Sequence, residues 1–355
     1  MDRSRLGRGG PSISVITPFF FHVTCTETRA SGPDDKSRTA EKMTNPIAQT
    51  VGIDVSKATL DVYAHPADCE RKFANSSKGH GELIEWLSQW PIDRIAYEAT
   101  GAYHRQLEQA LSDLPCVKLN PARARRFAQA AGTLAKTDKI DAIILARMAV
   151  TLQPPVRAAS TPQQVKLSEM ISARDGLVRD KIALQNQAKN LTLPLLKRQH
   201  KTRLDQIERH IDQVDAAIAA IIAADPALAR RHEIISSIAG VGIRTADQLV
   251  ATMPELGALD SKQAASLAGL APVTRQSGQW KGRSFIQGGR ANVRRALYMP
   301  ALVAARYNPE LKAKYQSLIT AGKPAKVAVV TLMRKLIVMA NALLRADRLW
   351  VEKRA

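Results

Sequence analysis

Five side chains in this 355-residue chain are of the types that act on phosphodiesters: Asp54, Glu98, Asp138, Asp141 and Ser277. Asp54 is a carboxylate set among Val51, Ile53 and Val55, and a buried charge is costly unless it is paired or binds a metal. The plainer alternative is a turn or edge residue with an ordinary hydrogen bond. Glu98 closes the apolar run Arg94-Ile95-Ala96-Tyr97-Glu98. Asp138 and Asp141 stand three apart, so one helix face can carry both, although the helix dipole alone also favours acidic residues in a first turn. Gathered together, four such carboxylates repel one another and take up Mg2+ or Mn2+ readily. Two hard cations held this way stabilise the attacking and leaving oxygens of phosphodiester chemistry. Ser277 lies beside Gly278, between Arg275 and Lys281. It is either a nucleophile stabilised by those cations or a loop serine in a phosphate-contact patch.

The elements that must position these groups are legible in outline. Thr50 to Tyr63 holds two β-branched and apolar runs around a polar break at Ser56-Lys57, the pattern of a β-hairpin with Asp54 in its first strand. Strands are expected again at Arg94–Glu98 and Cys116–Leu119, with helices at 81–87 and 103–111 between them. Pro121 opens a basic helix carrying Arg123, Arg125 and Arg126. Alternating strands and helices imply a mostly parallel sheet covered on both faces, with active groups at the carboxyl ends of strands, where Glu98 falls. Thr137 or Asp138 is a natural N-cap for the helix that follows.

Beyond about residue 160 the pattern changes. Apolar residues from Leu167 to Val178 and from Leu204 to Ile221 keep helical spacing, separated by Pro194 and a basic segment. They predict a long helical hairpin or broken coiled coil that joins two globular parts and offers a dimer surface. Ile238-Ala239-Gly240-Val241-Gly242 lies between helical stretches, as in a helix-hairpin-helix, where Gly240 and Gly242 let backbone N–H groups face a phosphate. A further Gly- and Arg-rich region carries Arg275, Lys281, Arg283, Arg290, Arg294 and Arg295, small and basic neighbours that suit phosphate contact. The tail from Ala301, ending in Arg334 to Leu349, is expected to be helical and basic and to pack against this part.

Bulk composition points the same way. The excess of 52 Lys and Arg over 32 Asp and Glu gives a net charge of +20, which favours a polyanion partner, first of all nucleic acid. Aromatic residues are only 5%, too few for base stacking to dominate binding. Cys25, Cys69 and Cys116 lack the spacing of a zinc site or a disulfide framework, which fits a reducing cytoplasm. No apolar run approaches the roughly 20 residues of a membrane span, so no membrane partner is expected. Residues 1–48 are expected to be a disordered extension, its patch from Ile13 to Val23 only faintly like a secretory signal and broken by Pro18. Met43 is a plausible alternative start.

Taken together, Val51-Gly52-Ile53-Asp54-Val55-Ser56-Lys57, Tyr97-Glu98-Ala99-Thr100-Gly101 and Lys136-Thr137-Asp138-Lys139-Ile140-Asp141-Ala142 resemble the three acidic motifs of IS110-family transposases, the DEDD recombinases. Gly240-Val241-Gly242, Gly269-Leu270-Ala271-Pro272, Ser277-Gly278 and Gly289-Arg290-Ala291-Asn292 are similar to the family's second half. The resemblance runs from about Thr50 to Leu344 in the same order; the N-terminal extension is the main departure. It implies an α/β RNase H-like, RuvC-type catalytic domain over 49–152, a coiled-coil helical linker over 160–226 and a mainly α C-terminal transposase domain over 230–350. It further implies that Asp54, Glu98, Asp138 and Asp141 hold the metals while Ser277 forms a phosphoserine linkage with DNA. The implied partners are double-stranded element and target DNA, a structured element-encoded guide RNA and further copies of the chain in a dimer or tetramer, in the cytoplasm with the nucleoid. Two other readings remain open here. A junction-resolving nuclease would use the acidic quartet alone and make Ser277 dispensable; a non-catalytic nucleic-acid binder would be indifferent to Asp54→Ala and to Mg2+.

Overall fold

The computed structural model describes residues 47–99, 101, 103–132, 138–156 and 161–352. Expectations for the N-terminal extension, and for Thr100, Lys136 and Thr137 in the acidic motifs, lie outside the described residues. The first part runs β1 (Gln49–Val55), β2 (Thr59–His65), β3 (Cys69–Ala74), α1 (Ser77–Leu87), β4 (Ile92–Glu98), α2 (Arg105–Ala110), β5 (Cys116–Leu119), α3 (Pro121–Ala130) and α4 (Asp138–Leu152).

The five strands form one sheet in the order β3-β2-β1-β4-β5. β1 and β2 pair antiparallel, as do β2 and β3, whereas β1–β4 and β4–β5 are parallel. The sheet is therefore mixed, which corrects the expectation of a mostly parallel one. The difference is β3, whose Cys69-Glu70-Arg71-Lys72-Phe73-Ala74 has too many charged residues to read as a strand. It is an edge strand with mostly exposed side chains, where charge is favoured because it blunts edge pairing. Both faces are covered, as expected. Val51, Ile53, Val55, Leu60 and Val62 pack with Leu83, Leu87, Leu107 and Leu111 of α1 and α2 on one face. On the other, Ala96, Val117 and Leu119 meet Ala124 of α3 and Leu145, Met148 and Ala149 of α4.

The seating of α4 on the sheet depends on one residue without a side chain. A Cβ on Gly52 would fall inside the carbonyl oxygen of Ala142 and 2.6 Å from the Ala146 nitrogen. The helix backbone thus rests directly on β1, where Tyr63, Ala142 and Ala146 make a small buried cluster.

The second part opens with two long helices lying side by side, α5 (Pro162–Ala188) and α6 (Pro194–Ala224). Ion pairs Arg174–Asp215 at 2.5 Å and Lys181–Glu208 at 2.7 Å show them antiparallel. There follow α7 (Pro226–Ser236), α8 (Ile243–Thr252), α9 (Ser261–Leu267), four two-residue strands β6 (Pro272–Val273), β7 (Gln276–Ser277), β8 (Trp280–Lys281) and β9 (Phe285–Ile286), then α10 (Ala291–Ala296), α11 (Tyr298–Tyr307), α12 (Pro309–Thr320) and α13 (Ala325–Arg345). Polar caps followed by proline start α3, α5, α7 and α12, at Asn120-Pro121, Thr161-Pro162, Asp225-Pro226 and Asn308-Pro309. Each cap side chain accepts from a first-turn N–H while proline supplies a helical φ without wasting a donor.

Leu167 and Ile171 of α5 and Ile218 and Ile222 of α6 belong to the same core as α7 to α13. The base of the long helices is thereby built into the C-terminal part. Arg244 of α8 reinforces the joint by reaching Asp215 at 2.6 Å. By length and composition α13 would cross a bilayer, contrary to the expectation that no such run exists. Its Leu332, Met333, Leu336, Ile337 and Ala340 are instead buried in this core, which accounts for its hydrophobicity.

Gly52→Ala is expected to destabilise the sheet domain by about 1–3 kcal/mol, the usual cost of an overpacked contact. Gly81→Ala, in the interior of α1 with open space around the added methyl, should be neutral or stabilising by up to about 1 kcal/mol. Chemical denaturation of the two variants checks the contrast; equal effects would show that α4 does not rest on Gly52.

Candidate functional site

The sheet register brings three of the acidic elements to one place. Gly52 lies level with Ala96 in the parallel β1–β4 pair. Since side chains alternate along a strand, Asp54 and Glu98, each two residues further on, project from the face covered by α4. Asp138 and Asp141 occupy the first turn of that helix. Asp54 feels the negative charge of all three. Burial, then repulsion from Asp141, Asp138, Glu98 and Asp61, pushes its carboxyl up from 3.8 to about 6.

Local hydrogen bonds fix the end of β1 that bears Asp54. Ser56 Oγ accepts from the Thr59 N–H at 2.9 Å, closing the turn. Asn75 Nδ2 donates to the Ser56 carbonyl at 2.8 Å and to the Tyr103 carbonyl at 3.1 Å, while Asn75 Oδ1 meets His80 Nε2 at 2.8 Å. Asn75 therefore ties the hairpin turn both to α1 and to the chain entering α2.

The donor set consists of hard carboxylate oxygens, the chemistry that suits Mg2+ or Mn2+. Among the described residues no three of these groups close to ligating distance. The four carboxylates share a charged neighbourhood on three separate elements. Their mutual repulsion is what a divalent cation would relieve, and in that respect the residues fit one.

Ser277 sits in a different setting. Gln276 and Ser277 pair with Lys281 and Trp280 in a two-stranded ribbon, turned through Gly278 at φ 55°. Ser277 is exposed and, among the described residues, its hydroxyl makes no hydrogen bond to the acidic neighbourhood.

The basic candidates divide into two groups. Arg123, Arg125 and Arg126 are exposed on α3, and Arg275, Arg283 and Arg295 are exposed around the ribbon. Arg275 also lies over the Phe285 ring, 4.7 Å from its centroid. Arg290 and Arg294 instead bind the protein itself. Arg290 grips Glu255 through both terminal nitrogens at 2.8 and 2.6 Å and reaches the Thr252 carbonyl at 2.6 Å. Arg294 donates to the Gly288 carbonyl at 2.9 Å. Both brace the loops beside the ribbon. The Lys281 side chain lies outside the described residues.

Gly240 and Gly242 separate in the same way. Gly240 has φ 100°, and a Cβ there would meet Ala304 of α11 at 2.8 Å, so packing and conformation both require glycine. Gly242 caps α8 without a side-chain hydrogen bond, and a Cβ on it would meet nothing. The open approach to the N–H groups of α8 is at Gly242.

Two residues near the quartet escaped the motif reading: Asp61 of β2, which adds to the repulsion on Asp54, and Lys72 of β3, paired with Asp61 at 3.2 Å. The turn falls at Lys57-Ala58, one residue later than the Ser56-Lys57 break, and only that register puts Asp61 rather than Thr59 across from Asp54. Lys72 needed β3 to be recognised.

Comparisons with known proteins cover both parts. Residues 51–197 match the DEDD transposase family of IS110, and residues 232–316 match a family described as Transposase IS116/IS110/IS902 family. The pilin gene-inverting protein of Moraxella bovis is 30% identical over 315 residues, covering 84% of this chain and 96% of the relative. The protein of the same name in Moraxella lacunata matches to the same extent. An uncharacterized 42 kDa protein of insertion element IS900 in Mycobacterium paratuberculosis is 39% identical over 123 residues, 33% of this chain and 31% of its own.

The folded chain holds the Asp54 proton more tightly than the unfolded chain does, so its ionisation opposes folding as pH rises from about 4 through 6. With chelator present, Asp54→Asn should melt close to the parent at pH 4 and above it at pH 7, as read by thermal denaturation. A difference independent of pH would show that Asp54 does not carry the strain of the cluster.

Proposed function

The chain belongs to the IS110 family of transposases, and from that premise we propose that it cleaves and rejoins DNA strands through a covalent phosphoserine intermediate. The observation that carries the reading is the placement of Asp54 on β1, Glu98 on β4 and Asp138 and Asp141 in the first turn of α4, the helix packed on one face of an RNase H-like sheet. In this reading these four residues hold divalent cations, Mg2+ or Mn2+ and two in number. When bound, the cations supply the positive charge that stabilises the attacking and leaving oxygens of the phosphodiester.

The Ser277 oxygen attacks phosphorus, forming an Oγ–P bond as the bond to a deoxyribose oxygen breaks; the leaving oxygen gains the proton that serine loses overall. Attack by another deoxyribose hydroxyl reverses the step, restores serine and joins a new pair of strands. The bond energy is kept throughout, so joining needs no nucleotide triphosphate. Ser277 suits this role by exposure on a tight ribbon flanked by Arg275 and Arg283. Arg290 and Arg294 position that region, and Arg295 and the free N–H groups after Gly242 add phosphate contacts.

A sheet domain at 49–152 is supported by its own hydrophobic cores; a coiled-coil linker at 160–226 and a transposase domain at 230–350 are divided by the length of α5 and α6, whose bases join the C-terminal core. Composite sites follow naturally in a dimer or tetramer, with the serine of one copy meeting the carboxylates of another. Double-stranded DNA is the substrate. The exposed Arg123, Arg125 and Arg126 suit an element-encoded guide RNA, and the whole acts in the cytoplasm at the nucleoid without a membrane partner.

Rejoining is favoured over hydrolysis by the relatives' name: inverting a gene requires every cleaved end to be sealed again. A supercoiled plasmid carrying the element ends tests this. Ser277→Ala should lower recombination at least about a hundredfold and remove the protein–DNA adduct seen under denaturing conditions, while Asp54→Asn leaves DNA binding in place without cleavage. Free-ended products from Ser277→Ala at the parent rate would establish the nuclease reading instead.

A further inference from the structure

The antiparallel register sets Asp54 of β1 opposite Asp61 of β2, and Asp61 opposite Lys72 of β3. Directly opposed residues project from one face with Cβ atoms about 4.5–5.5 Å apart. Glu98 extends this row on the far side of Asp54. The row therefore reads Glu98, Asp54, Asp61, Lys72 across four strands, under the N-terminal turn of α4. Asp61 is a fifth carboxylate in a neighbourhood that is already repulsive.

Its partner explains how it is tolerated. The Lys72 ammonium lies 3.2 Å from Asp61 Oδ2, and the lysine side chain is 57% exposed while that of Asp61 is 15% exposed. Asp61 Oδ2 is shut off from solvent and makes no hydrogen bond of good geometry among the described residues. A surface lysine thus leans in over a nearly buried carboxylate and only partly compensates it. A pair serving strand pairing alone would do as well further along β2 and β3, away from Asp54.

We infer that Asp61 and Lys72 are positioning residues that set how tightly the Asp54 cluster holds a divalent cation, Asp61 strengthening the hold and Lys72 moderating it. The inference rests on the metal-holding role proposed above for Asp54. The acid adds negative potential one strand from Asp54, and the lysine cancels part of it from the solvent edge. The moderation matters for a site that must bind both a metal and DNA, because excess negative charge strengthens the one but repels the phosphodiester of the other.

Mn2+ binding to the full chain, measured by titration calorimetry without DNA, separates this from a merely structural pair. Asp61→Asn should weaken Mn2+ binding about threefold to tenfold, and Lys72→Met should tighten it about twofold to threefold. The double variant should return close to the parent, because the two charges removed have opposite sign. A pair that only holds strands together predicts no change in affinity, or losses of the same sign that do not cancel; either result overturns the inference. Should Asp61→Asn fail to fold, Lys72→Met decides alone, since that side chain lies mostly in solvent. Asp54→Asn serves as the control for the premise. If Mn2+ binds it as it binds the parent, the metal-holding role itself is wrong; if only the Asp61 and Lys72 arms fail, that role stands and the inference falls.

Discussion

The structure depends on the bare contact between Gly52 and the backbone of α4. Packed layers, as in stacked sheets, usually stand about 10 Å apart because side chains fill the space between them. Here Gly52 and the small Ala142 and Ala146 remove that filling, and α4 drops onto β1. Its first turn then lies over the end of the same strand, two residues past Gly52, where Asp54 projects. The closeness that costs nothing in side-chain entropy is also what makes the carboxylates feel one another. With a side chain at position 52, α4 would lift and Asp138 and Asp141 would withdraw from Asp54.

The resulting charge distribution runs against the sign of the whole molecule. A chain of net charge +20 concentrates negative charge where cations are wanted and leaves exposed arginines on α3 and around the Ser277 ribbon. The exposed arginines and the acidic quartet lie on different elements, the former on α3 and around the ribbon, the latter on β1, β4 and α4. Lys72 is the instructive exception, reaching Asp61 from the edge strand. Asp54 bears the consequence of the crowding as a carboxyl that keeps its proton up to about 6.

Much of this was legible in the sequence because the acidic residues sit in stretches whose periodicity is strong. The hairpin around Ser56-Lys57, the strand ending at Glu98 and the helix beginning at Asp138 all formed where the pattern of apolar residues put them. β3 was hidden because an edge strand needs little hydrophobicity, and without its antiparallel pairing with β2 the sheet read as mostly parallel. The packing of the tail helix was expected and α13 does pack there, but its apolar length was missed: an apolar helix looks the same in composition whether protein or lipid surrounds it. Motif reading also treated every arginine near Ser277 as a phosphate ligand. The pairing of Arg290 with Glu255, 35 residues away in the chain, could not be seen until the chain was folded.

The central claim is that Asp54, Glu98, Asp138 and Asp141 together hold divalent cations. Anomalous diffraction from crystals grown with Mn2+ addresses it most directly. The account predicts manganese bound to Asp54 and to at least two of the other three carboxylates, on the face of the sheet beneath α4. Manganese seated elsewhere while these four side chains stay unligated would contradict it.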